Sequence, residues 1–97
     1  MSMLQAMTAV RLTAGNIRLE ELGDFVACFS RDTGTTIVLD TLTATVAGIV
    51  LNSGPVLQVD IVSELEPLLE GSDIEAGAVV SHAVEKLIAE KLITLQP

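Results

Sequence analysis

Two short stretches of β-favouring residues, Phe25–Phe29 and Thr35–Leu39, flank a turn signal at Asp32-Thr33-Gly34, and every later segment reads as helix until the last few residues. Thr35, Thr36, Ile37 and Val38 are mostly β-branched and suit a pleated surface. Arg31–Gly34 between them reads as a hairpin turn, with Gly34 available for a positive φ. Upstream, Val10-Arg11-Leu12 and Ile17-Arg18-Leu19 read as short strands around a turn at Ala14-Gly15-Asn16, the second pairing with the strand after it. Glu20–Gly23 breaks that pattern. Met1–Ala9 has few charges and no period, and reads as a loose arm or one that orders against a neighbour.

Three helices are expected after the hairpin. Asp40 or Thr41 caps the first, in which Leu42, Val46, Ile49 and Val50 recur at helical spacing before Asn52-Ser53-Gly54-Pro55 ends it. The second spans Val59–Leu69, with Ile61, Val62, Leu65, Leu68 and Leu69 on its apolar side. Pro67 inside it implies either a kink or an irregular last turn. Ser72-Asp73-Ile74-Glu75 has the spacing of a capping box and predicts a third helix over Asp73–Lys91, with Ile74, Val80, Val84, Leu87, Ile88 and Leu92 broadly on one side. Leu92–Leu95 reads as a closing strand. A small antiparallel β unit followed by three helices and a short C-terminal strand predicts an α+β fold on the winged-helix plan, in one domain over residues 1–97.

Charge then narrows the function. Five basic residues face thirteen acidic ones, a net charge of −8. Duplex nucleic acid is held by Lys and Arg that replace condensed counterions, and Arg11, Arg18, Arg31, Lys86 and Lys91 are too few and too scattered for it. The same balance disfavours an anionic membrane surface. No apolar run approaches the ~20 residues of a membrane span, and Met1–Ala14 lacks a signal-peptide pattern, so a cytoplasmic setting is expected. With 49% hydrophobic residues and only Phe25 and Phe29 aromatic, the core must be aliphatic. Some apolar surface is expected to face a partner or a second copy.

Little here supports catalysis. His82 is the single histidine and Cys28 the single cysteine, so no metal cluster of those residues forms and no metal is expected. Cys28 lies in an apolar strand without a basic neighbour and reads as a small core residue. The glutamates Glu20, Glu21, Glu64, Glu66 and Glu70 read as solvated faces. Gly15, Gly23, Gly34 and Gly48 are isolated, so no phosphate loop is present and no cofactor is expected.

From Phe25 to Ile93 the chain resembles the PqqD-like peptide chaperones, the leader-peptide recognition elements of ribosomally made, modified peptides. The likeness rests on the strand pair around Asp32-Thr33-Gly34 leading into Ile37-Val38-Leu39-Asp40, the apolar helix Leu42–Leu51, the turn Asn52-Ser53-Gly54, the segment Ile61-Val62-Ser63-Glu64-Leu65, and the finish Val84–Ile93. The longer N-terminal part looks nearest to the subgroup found beside proteins related to the HPr kinase. Lys91 stands where the family usually has Gly, and Ser81-His82 occupy the region in which members often carry Asp.

The resemblance implies a binding module and not an enzyme, one that captures a precursor peptide as an added strand and presents it to a modifying enzyme. The expected edge is Thr35, Thr36, Ile37, Val38 and Leu39, which carry no charge, Lys or Pro. The expected facing helix surface is Val80, Val84 and Leu87 with Lys91. On that expectation Val80 and Val84 stay exposed without a ligand; the competing reading buries both in the core. An uncharged edge also fits one covered by the N-terminus or a second subunit. The alternative function is a structural or regulatory homodimer without a peptide ligand.

Overall fold

The structure is a computed structural model and describes residues 10–96; the expected N-terminal arm lies outside the described residues. The fold is α+β. Strands β1 (Arg11–Ala14), β2 (Ile17–Leu22), β3 (Phe25–Ser30) and β4 (Thr35–Leu39) precede helix α1 (Thr41–Ser53), strand β5 (Val56–Leu57) and helix α2 (Gln58–Leu65). A 3₁₀ turn (Glu66–Leu69), helix α3 (Ala76–Ala89) and strand β6 (Ile93–Gln96) complete the order.

The strands form two three-stranded antiparallel sheets, β5-β1-β6 and β2-β3-β4. β2 runs on through Glu20, Glu21 and Leu22, past the point where the sequence pattern breaks. Its two-residue loop, Gly23-Asp24, opens on a glycine at φ +70, as a type II′ hairpin requires. Gly34 likewise takes φ +69 at the end of the β3–β4 turn. There the Gly34 amide donates to the Ser30 carbonyl at 2.9 Å.

β1 lies in the middle of its sheet, with Arg11 and Leu12 opposite Leu57 and Val56 on one side and Arg11–Ala14 opposite Gln96–Ile93 on the other. Leu12 is buried in the core with Val56, Leu92 and Ile93. Gly54 caps α1, its amide donating to the Val50 carbonyl at 2.9 Å. Its φ of −68 needs no glycine, but its surroundings do. A β-carbon there would stand 2.5 Å from the Val50 carbonyl oxygen and 3.2 Å from that of Leu12.

The helical body is aliphatic, as composition requires. Val46, Val50, Ile61, Leu65, Val80, Val84 and Leu87 fill it, with Leu39 and Cys28 closing it from the β2-β3-β4 sheet. Pro67 falls in the 3₁₀ turn that follows α2, the irregular-turn alternative, because proline lacks the donor an α-turn needs. Leu68 is exposed and off the apolar side expected of it.

The capping box does not form. The Ser72 hydroxyl instead donates to the Leu69 carbonyl at 2.7 Å and accepts from the Ile74 amide at 3.3 Å. α3 therefore starts at Ala76, later than Asp73, and Ile74 stays exposed. Glu75 is the cap, its two carboxylate oxygens accepting from the Gly77 and Ala78 amides at 3.2 and 2.9 Å. The other end of α3 is a Schellman turn: Lys91 donates to Ile88 and Leu92 to Leu87, both at 2.9 Å. Leu92 and Leu87 are both fully buried beneath it. The turn puts Lys91 at φ 62, a left-handed conformation in a residue with a β-carbon.

Lys91→Gly relieves that conformation and should raise unfolding stability by about 0.5–1 kcal/mol in urea titrations; a loss of stability would contradict the strain assigned to Lys91. Glu75→Ala removes the cap and should lower stability by about 1 kcal/mol in the same assay, whereas an unchanged midpoint would show that the helix start is held by something else.

Candidate functional site

Among the described residues, the β2-β3-β4 sheet has two unpaired edges, β2 and β4. A free edge presents a row of backbone donors and acceptors, and charged side chains normally discourage other strands from adding to it. β2 is guarded in this way by exposed Arg18, Glu20 and Glu21. β4 is not. Thr35 and Thr36 are exposed, Ile37 is half-buried, Val38 is 55% exposed and Leu39 is fully buried. The five residues expected at an edge therefore lie in an edge strand, and its exposed side chains are neutral.

α3 presents a different face from the one expected. Val80, Val84 and Leu87 are buried, at 0%, 5% and 0% exposure, so the expectation of an exposed stripe does not hold. Helical periodicity identified the side of α3 that packs into the core against α1 and α2. Lys91 is exposed but lies beyond the helix, in its terminating turn.

The accessible apolar surface lies a step around the same helix. Ala78, Val79 and His82 of α3 and Leu42 and Thr43 of α1 line an open groove of about 280 Å³, together with Asp40, the residue after β4. Ser81, the neighbour of His82, is occupied elsewhere, accepting from Gln58 Nε2 of α2 at 3.2 Å. Sequence periodicity does not mark the groove: Leu42 counts with the expected core stripe of α1 and Val79 with none, and both are half-buried.

Asp40 links the strand to the groove. Its Oδ1 accepts from the Thr43 amide at 2.8 Å and caps α1. This bond, with the charge of Lys86 adding to it, holds the carboxyl below the usual aspartate range, against the opposing effect of burial. Cys28 is the reverse case: burial pushes its thiol up, and it stays a protonated core residue. Among the described residues, no group of three or more His, Cys, Asp or Glu could hold a metal ion, and no helix is long and apolar enough to cross a membrane. What the arrangement offers a ligand is backbone hydrogen bonding along β4 and apolar contact in the groove beside Asp40.

No protein family, curated protein or solved structure matches the chain.

Because the folded carboxyl of Asp40 titrates below its unfolded value of about 3.9, its stabilising effect is complete above that value and fades as pH falls through the lower, folded one. Asp40→Ala should therefore cost about 1 kcal/mol at pH 7, with the gap to the unmodified protein closing below about pH 4. Thermal unfolding across pH measures it, and a gap that widens on acidification would contradict the cap.

Proposed function

We propose that this protein is a non-catalytic, winged-helix-like peptide-binding module of the PqqD-like kind. It captures a precursor peptide as an added strand on β4 and presents it to a modifying enzyme. The observation that carries the reading is the contrast between the two edges of one sheet: β2 is charged and β4 is neutral along its whole length. Main-chain bonds to β4 supply affinity, and alternate side chains of the added strand supply register. One set of those side chains lies beside Thr36 and Val38. The other lies beside Ile37 and is followed by the groove at Asp40, where Leu42, Val79 and His82 receive an apolar side chain.

The resemblance of Phe25–Ile93 to the peptide chaperones supports the same reading. In it the helix surface that meets the ligand is Ala78, Val79 and His82, while Val80, Val84 and Leu87 hold that surface in place from beneath. A net charge of −8 leaves nucleic acid a poor partner. The peptide and its enzyme belong to the setting in which such modules act, the cytoplasm.

Val38→Pro takes a donor from β4 and distorts the edge. In a variant whose circular dichroism matches the unmodified protein, binding of labelled precursor peptides encoded beside the gene should be lost in fluorescence anisotropy. Unchanged affinity in the folded variant would overturn strand addition at β4.

A further inference from the structure

The β2-β3-β4 sheet is apolar on both faces. Residues directly opposite in an antiparallel ladder share a face, so the register sorts the side chains. Ile17, Leu19, Val26, Cys28, Ile37 and Leu39 point inward, to the core or against its margin. The outer face carries Leu22 opposite Phe25, Glu20 opposite Ala27 and Val38, and Arg18 opposite Phe29 and Thr36. Leu22, Phe25 and Val38 are 53%, 57% and 55% exposed. Both aromatic residues of the chain lie here, and only Phe29 has a cover, the Arg18 guanidinium 4.8 Å from its ring centre. A sheet with two apolar faces is normally a middle layer, with an element packed on each side. Ala27, in the middle of this second face, is buried at 2% exposure, while Leu22, Phe25 and Val38 around it stay open among the described residues.

Its size and charge say what fits it. Three strands of five or six residues present roughly 300 Å². A stable pair of copies buries about 800 Å² on each partner, so the patch is too small to hold a second copy by itself. A helix of about three turns, roughly 16 Å long and 10 Å across, matches it. Asp24 lies in the turn at the Leu22–Phe25 end, and Glu20, opposite Ala27 at the middle of the face, stands 3.9 Å from Arg18, the cation of this face, which lies over Phe29. Two acids to one base around this face, on a chain of net charge −8, favour a cationic partner. We infer that the outer face of β2-β3-β4 docks a short amphipathic helix of a partner protein, with an apolar stripe over Leu22, Phe25 and Val38 and lysine or arginine flanks toward Glu20 and Asp24. Val38 belongs both to this face and to the β4 edge, so a strand on the edge and a helix on the face lie side by side.

The test is an amide NMR titration of the full labelled chain with a synthetic helical peptide of about fourteen residues, leucine on one side and lysine on the other, beside a twin with glutamate in place of lysine. The lysine peptide should give saturable shifts at Leu22, Phe25, Ala27 and Val38. The glutamate twin should give none. A variant with Leu22→Ser and Phe25→Ser, both at exposed positions, should keep its remaining spectrum and bind at least tenfold more weakly. Equal binding by that variant or by the glutamate twin would reduce the effect to unspecific attraction and overturn the inference. So would shifts confined to β4 and the groove. A dimer that dissociates when Phe25 is replaced would assign the face to a second copy instead. Binding that appears only after removal of residues 1–9 would assign it to the chain's own N-terminal segment.

Discussion

The fold depends on β1 being bonded on both sides. Arg11 and Leu12 pair with β5, which follows α1, and all four residues of β1 pair with β6, which follows α3. One strand thus fastens both ends of the helical body, and Leu12 fills the space beneath it. Crowding where β1 passes the end of α1 shows in Gly54: a β-carbon there would meet the Val50 carbonyl of its own helix at 2.5 Å, and the Leu12 carbonyl of β1 stands close by at 3.2 Å. The same strand leads through Gly15 and Asn16 into the second sheet. There the Gly15 amide donates to the Leu92 carbonyl at 3.0 Å, and the Asn16 amide to Asp32 Oδ2 at 3.1 Å. The sheet that carries the candidate site is therefore anchored to the rest of the molecule by the run that begins in β1.

With one end fixed, the β2-β3-β4 sheet has its inner face on the core and its margins free. The difference between those margins is chemical. Charges along β2 discourage strand pairing, whereas threonines and aliphatic side chains along β4 leave its backbone accessible. Asp40 follows the strand, caps α1 and lines the groove, so the residue that sets the helix start also borders the apolar site. The proposed peptide site rests on that geometry and needs no reactive group.

Local signals are legible in this sequence, and long-range ones are not. The Asp32-Thr33-Gly34 turn, the Asp40 cap and the disturbance at Pro67 each act within a few residues, so the chain displays them directly. The pairing of β1 with β5 and β6 joins segments far apart in sequence, and no short pattern records it. Ser72 shows how a correct local rule can lose: its hydroxyl has the spacing of a cap, but its oxygen accepts from the Ile74 amide and not from that of Glu75, while its amide and hydroxyl both donate to the Leu69 carbonyl. On α3, periodicity marked Val80, Val84 and Leu87 because it detects the stripe that is buried; the positions beside it, Val79 and His82, carry no such signal. Lys91 occupies a left-handed turn, a conformation that glycine adopts without the cost of a β-carbon and that no pattern in the sequence around it announces.

The central claim is that a peptide joins the sheet at β4, and the most direct measurement is an isotope-edited NOE experiment on the labelled protein with an unlabelled precursor peptide. Strand addition predicts cross-strand contacts between α-protons of the peptide and those of Thr35–Leu39, in an alternating pattern that fixes the register. Contacts from the peptide to β2, or to helix side chains alone with none to β4, would contradict it.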